Sequence, residues 1–159
     1  MKVKLICATS IDGYIAKHSN EKIKWSEDLP LFKKQTMGKY VIIGSNTFKT
    51  LKNPLKGRNI IVVTRKDSPQ DIIKRLEKTE KECFVAGGGI TNSRFIKYIT
   101  DLYITPHPIL LGMGIKLFER EALQSKTILK NVISVPEKEN IFQYQFEVQK
   151  KRISEINNF

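Results

Sequence analysis

Three consecutive glycines, Gly87, Gly88 and Gly89, follow the apolar run 83–86 and lead into a stretch of helical character. Glycines at a strand end let the backbone come close to a phosphate while its N–H groups point at the anion. A tight turn alone needs one glycine, so the triplet favours phosphate binding, although its spacing is not G-x-G-x-x-G. A second turn, Gly44-Ser45-Asn46-Thr47, offers hydroxyl and amide donors and reads equally well as an ordinary helix cap. Thr64-Arg65-Lys66 places two cations after another apolar run, where solvated loop charge is the plainer alternative. Three such turns along one sheet edge suit an elongated anionic ligand such as a dinucleotide.

Two further residues have the chemistry of a site. Asp28 stands four positions before Phe32, so a helix would place both on one face, made apolar by Leu29 and Phe32. A carboxylate there is either a helix-terminus charge favoured by the macrodipole or a buried functional acid, and spacing alone favours the first. Arg58 ends the turn at 54–57, where a surface arginine is the simpler reading.

The elements needed to position these groups are legible from pattern. Residues 3–10, 40–44, 59–64, 83–86 and 102–105 are apolar runs that predict strands. Asp12-Gly13 marks a turn, Tyr14, Ile15 and Ala16 resume apolar character, and 18–24 read as a surface loop. Helices are predicted over 27–37, capped by Ser26 with Pro30 in the first turn, and over 45–51. Residues 68–78 combine a serine cap, a proline at the first helical position and apolar Ile72, Ile73 and Leu76. A further helix is predicted over 92–99, and 128–135 with 141–150 make a terminal hairpin. Strands alternating with helices, then an all-β end, predict an α/β protein with a mostly parallel sheet and helices on both faces. Ligands bind beyond the carboxyl ends of such strands, where all three turns lie.

Composition narrows the function classes. The 159 residues suffice for one ordinary domain, expected over 1–152 with a polar tail at 153–159. No run approaches the ~18 apolar residues of a membrane span, and the N-terminus reads as a strand, not a signal peptide. Cys7 and Cys83 lie in apolar runs and read as reduced thiols of a cytosolic protein. Two distant histidines, His18 and His107, are too few for a zinc centre, and no metal is expected. Lys and Arg number 28 against 16 Asp and Glu, a net charge of +12 that attracts anionic ligands. The lysines are spread along the chain, whereas nucleic-acid binding concentrates arginine and aromatics on one face.

Together these residues resemble the dihydrofolate reductase superfamily over about residues 3–150. The likeness lies in the order of short motifs. S-I-D-G-Y-I-A at 10–16 is followed by Trp25 shortly before an acid, F-K-K-Q-T at 32–36 and V-I-I-G-S-N-T-F at 41–48. N-P-L-K-G-R at 53–58, V-A-G-G-G at 85–89, L-Y-I-T at 102–105 and Y-Q-F-E-V at 144–148 complete it. The stretch 106–118, P-H-P-I-L-L-G-M-G-I-K-L-F, is more similar to a sister branch, the reductases of riboflavin biosynthesis.

The resemblance implies a three-layer fold with an eight-stranded, mostly parallel sheet and an antiparallel C-terminal hairpin. It implies a cytoplasmic enzyme of tetrahydrofolate biosynthesis and one-carbon metabolism, transferring hydride from NADPH to 7,8-dihydrofolate. Asp28 and Trp25 would be catalytic, Asp28 binding the pterin amino group and N3 and favouring protonation at N5 through water. Glu27 is its rival. Ile6, Leu29, Phe32, Leu55 and Thr105 would line or support the substrate pocket. Arg58 would form a bidentate pair with a carboxylate of the glutamate tail. The nicotinamide would lie near Ala8, Ile15 and Ala16, and Asn46, Thr47, Thr64, Gly87, Gly88 and Gly89 would hold the rest of the cofactor. The family's usual arginine after the second strand is Ser45 here, so Arg65 and Lys66 would recognise the 2′-phosphate. The expected partner is dihydrofolate, with no nucleic acid or membrane, in a monomer with a dimer as the alternative. Two other functions stay open: reduction of a ribosylaminopyrimidine phosphate, and nucleic-acid binding without enzyme activity.

Overall fold

The computed structural model describes residues 1–51, 55–120 and 124–149. Asn53, Pro54, Lys150, the expected boundary at 152 and the tail at 153–159 lie outside the described residues. The chain begins with β1 (Lys2–Ser10), β2 (Tyr14–Ala16) and α1 (Leu29–Thr36). The units β3 (Tyr40–Gly44), α2 (Ser45–Thr50), β4 (Asn59–Val63), α3 (Pro69–Leu76), β5 (Glu82–Val85) and α4 (Gly89–Phe95) follow. Then come β6 (Asp101–His107), β7 (Ile115–Lys116), β8 (Thr127–Ser134) and β9 (Phe142–Val148). Among the described residues no helix is long and apolar enough to cross a membrane.

Seven strands form one sheet in the order β4-β3-β5-β1-β6-β9-β8. Strands β4, β3, β5, β1 and β6 pair in parallel, and β9 and β8 close the sheet as an antiparallel hairpin. The period of two along each strand sends side chains to opposite faces. Val3, Leu5, Ile42, Cys83 and Val85 pack with Ile72, Ile73 and Leu76 of α3 and Phe95 of α4. Their neighbours Ile6, Val41 and Phe84 face the other way, against Phe32 of α1 and Leu55. Both faces are thus covered, as a parallel sheet requires. Each fully buried aliphatic side chain such as Leu5 or Ile42 contributes about 1.5–3 kcal/mol.

The expected α/β architecture is borne out, with local corrections. Among the described residues the main sheet has seven strands instead of eight, and β2 and β7 pair with each other as a separate antiparallel ribbon. Asp12 directs this pairing. Its carboxylate accepts the N–H groups of Leu111 and Gly112, at 3.2 and 2.8 Å, and so brings the chain after β6 back beside β2. Helix α1 starts at Leu29 instead of 27, and Ser26 does not cap it. The Ser26 hydroxyl donates to Asp28 Oδ1 at 2.7 Å, and the Glu27 N–H donates to His107 Nε2 at 2.9 Å. Helix α4 starts at Gly89 instead of 92, because the Asn92 N–H closes the first turn on the Gly88 carbonyl at 2.9 Å.

Candidate active site

Because β1, β3, β4 and β5 are parallel, their carboxyl ends emerge along one edge. Val85, the last residue of β5, lies in register with both Leu5 and Ile42, so β3 runs on to Gly44 and β1 to Ser10 beyond it. A cleft of about 1690 Å³ opens there, between α1, the β2–β7 ribbon and the turns that follow β3, β4 and β5. One small-molecule site occupies ~300–1,000 Å³. The cleft is therefore roomy enough for two ligands side by side.

One compartment is built on α1. Asp28 is 4% exposed and lines the cleft with Leu29, Phe32, Ile6, Leu55 and Arg58. Its backbone carbonyl accepts the Phe32 N–H at 2.9 Å, while Ser26 is the hydroxyl donor to its side chain. Arg58 stands with its guanidinium 5.8 Å from the centre of the Phe32 ring. Its Nε donates to Thr36 Oγ1 at 3.2 Å and Nη1 to the Lys56 carbonyl at 2.7 Å. Among the described residues no cation forms an ion pair with Asp28 and no carboxylate does so with Arg58. The Cys7 thiol also lines this region, and burial, reinforced by the Asp28 charge, pushes it up to about 12.

The second compartment is built on turns. Gly87 has φ +97°, a conformation that an L side chain resists, and space is open where its Cβ would stand. A Cβ at Gly88 would meet Thr47 Oγ1 at 2.9 Å, so the glycine turn and the Thr47 hydroxyl form a close cradle. The Gly44 N–H donates to the Gly87 carbonyl at 2.9 Å and ties this cradle to the end of β3. At the far end Thr64 donates to Asp67 Oδ2 from its N–H and hydroxyl, at 2.6 and 2.7 Å. These bonds, the hydroxyl's foremost, hold the Asp67 carboxyl below its usual range. Arg94 braces the same turn by donating to the Thr64 carbonyl at 2.7 Å and to the Asp67 carbonyl. Arg65 and Lys66 are exposed beside it.

Of the residues proposed from sequence, Ala8, Ile15, Ala16, Asn46, Thr47, Thr64, Arg65, Lys66 and Gly87–Gly89 line the cleft together with the Asp28 group. Trp25 and Thr105 do not line it. Trp25 sits edge-on to His107 with ring centroids 5.4 Å apart, and Thr105 is fully buried in β6. Glu27, the rival acid, turns outward and pairs with Lys138, whose hydrogen bond and charge hold the Glu27 carboxyl below its usual range. The sequence reading missed Arg94, Lys33 and the side of the 18–24 loop that contributes His18, Ser19, Glu21 and Ile23. Arg94 and Lys33 carried no signal beyond ordinary surface charge. Among the described residues no cluster of His, Cys, Asp and Glu is placed to hold a metal ion.

Residues 2–107 match the family model described as dihydrofolate reductase. The chain belongs to the dihydrofolate reductase family. It is 34% identical to the dihydrofolate reductase of Buchnera aphidicola, over 93% of this chain and 98% of that one. The dihydrofolate reductase of Bacillus subtilis is 31% identical over 65% of this chain and 67% of its own length. Among solved structures, dihydrofolate reductase from Enterococcus faecalis, complexed with NADP(H) and RAB-propyl, superposes with TM-score 0.75 and 22% identity. That match covers 94% of this chain and 97% of the other. A putative riboflavin biosynthesis protein from Shewanella sp. PV-4 superposes with TM-score 0.66 at 21% identity, over 94% of this chain and 100% of that one. The dihydrofolate reductase fold is therefore shared with the sister branch that the 106–118 stretch resembles.

Proposed function

We propose that the protein reduces 7,8-dihydrofolate to tetrahydrofolate with NADPH. The observation that carries this reading is that, around Phe32 and among the described residues, a buried acid has no cationic partner and an arginine no acidic one. A ligand with a hydrogen-bonding heterocycle at one end and a carboxylate at the other satisfies both. Family membership and the dihydrofolate reductases among its relatives support the same substrate.

The cleft suits the cofactor. A cradle at Gly88 that a Cβ would crowd against Thr47, hydroxyls at Thr47 and Thr64, and cations at Arg65, Lys66 and Arg94 match a dinucleotide with an additional phosphate. Asn46, Thr47 and Gly87–Gly89 would hold its phosphates, Thr64, Arg65 and Lys66 its 2′-phosphate, and Ala8, Ile15 and Ala16 would flank its nicotinamide. The bound cofactor supplies the hydride. The chain's own residues do the rest. Asp28 binds the pterin amino group and N3, fixing which face of the ring is presented, and favours delivery of a proton to N5 through water. Ile6, Phe32 and Leu55 exclude bulk water from the reacting centre. Arg58, pre-set by its bonds to Thr36 and Lys56, receives a carboxylate of the glutamate tail. Trp25 packs edge-on to His107, outside the cleft. Two unpaired thiols, Cys7 and Cys83, fit a reducing cytosolic compartment, where the product would serve one-carbon metabolism.

The test is the loss of NADPH absorbance with dihydrofolate and, separately, with a ribosylaminopyrimidine phosphate. Turnover with dihydrofolate alone is the expected result. Turnover with the pyrimidine alone would move the protein to the riboflavin branch.

A further inference from the structure

The side chain of His107, at the end of β6, is 1% exposed and plays no part in the cleft. Both ring nitrogens are engaged. Nδ1 lies 2.9 Å from the Thr105 carbonyl, which can only accept, so Nδ1 carries the proton. Nε2 is then an acceptor, and it takes the backbone N–H of Glu27 at 2.9 Å. The edge-on contact to Trp25 adds a second grip two residues upstream. The next residue along the chain is Asp28, at the N-cap of α1, where no side-chain cap fixes the helix end.

We propose that His107 is a positioning residue: its Nε2 anchors the Glu27 amide and thereby sets the Asp28 carboxylate in the cleft. The proposal rests on Asp28 acting as the acid of the folate site. Deprived of this acceptor, the Glu27 N–H would turn to another partner, and the carboxylate one residue on would move with it. Small misplacements of a group that orients substrate lower turnover more than binding of a remote ligand.

The test compares His107→Phe, which keeps a ring against Trp25 but has no acceptor, with His107→Gln, whose amide oxygen can replace Nε2. In His107→Phe the hydrogen exchange of the Glu27 amide should speed up, and kcat with dihydrofolate should fall, each about tenfold. The Kd for NADPH should hold, and His107→Gln should restore both quantities. An unchanged Glu27 exchange rate, or fast exchange with unchanged kcat, would overturn the proposal. If His107→Phe fails to fold, the ring nitrogen shifts of the wild-type protein decide, since a proton on Nε2 would contradict the anchor. A wild-type protein inactive on dihydrofolate, with Glu27 exchange still responding to His107, would count against the folate reading and support the anchor.

Discussion

Glu27 and Asp28 are adjacent carboxylates that face opposite sides of the chain. Asp28 turns into the cleft at 4% exposure, while Glu27 reaches outward to Lys138. This division follows from the Glu27 N–H being held by His107 and the Asp28 side chain by Ser26. On the proposed folate reading the two have unequal roles. Asp28→Asn should fold normally and lower turnover by about 10²–10⁴-fold, the usual contribution of a positioned proton-transfer group. Glu27→Gln should leave turnover within about twofold, the scale of a lost surface ion pair. Steady-state rates of the two variants, beside their melting temperatures, check this, and the reverse order would show that the acid is misassigned.

Cofactor selectivity should reside at the end of β4. Arg65→Ala should weaken NADPH by about 1.5–3 kcal/mol through the loss of a charge-assisted hydrogen bond. NADH, without the 2′-phosphate, should be nearly unaffected. Titration with each nucleotide measures both constants. Equal losses would make Arg65 a source of general positive field.

The thiols give a prediction that needs no variant. Burial pushes both Cys7 and Cys83 up to about 12. At about pH 8 only some 10⁻⁴ of each is thiolate, so alkylating reagents should find the native protein inert. Unfolding should expose two reactive thiols. Rapid labelling of one thiol in the native state would show that Cys7 is reached through the cleft.

At the amino edge of the sheet, far from the cleft, Glu82 accepts hydrogen bonds from Lys4 and Lys39 at 2.5 and 2.9 Å. The Lys4 bond, then the Lys39 bond, holds the Glu82 carboxyl below its usual range. A carboxyl depressed in the folded state stabilises the fold above its unfolded pKa, and that contribution is lost as pH falls through the folded pKa. Glu82→Gln should therefore cost about 1 kcal/mol at neutral pH, with solvent screening keeping it modest. The difference from wild type should vanish in acid. Denaturant melts across the range from neutral to strongly acidic pH would reveal it, and a pH-independent difference would point to packing alone.

How much of this was legible depends on which contacts are local. Strand β3 and helix α3 follow from neighbouring residues: an apolar run between turn signals, and Ser68 accepting from the Asp71 N–H ahead of a helix opened by Pro69. That the three turns meet at one edge was legible because parallel strands send their carboxyl ends to the same side. The start of α1 and the β2–β7 ribbon were not, since each depends on bonds between residues far apart in sequence, Glu27 to His107 and the 111–112 amides to Asp12. Arg94 reads as a solvated helix charge until the fold brings it to the Thr64 carbonyl. Motif order brings Trp25 close to the acid along the chain, yet its ring packs on His107 outside the cleft.

The most direct measurement of the central claim is kcat/KM of Arg58→Leu with dihydrofolate and with a dihydropterin that lacks the glutamate tail. The guanidinium sits on the Phe32 ring beside the Asp28 compartment, so the folate reading gives it one task, to meet the tail carboxylate. Leaving that carboxylate partly desolvated and unpaired should cost ~2–4 kcal/mol, roughly 30- to 1000-fold in kcat/KM for dihydrofolate. The truncated pterin should lose almost nothing, and NADPH affinity should hold. Losses of equal size on both substrates would contradict the account, because Arg58 would then be supporting the fold instead of reading the substrate.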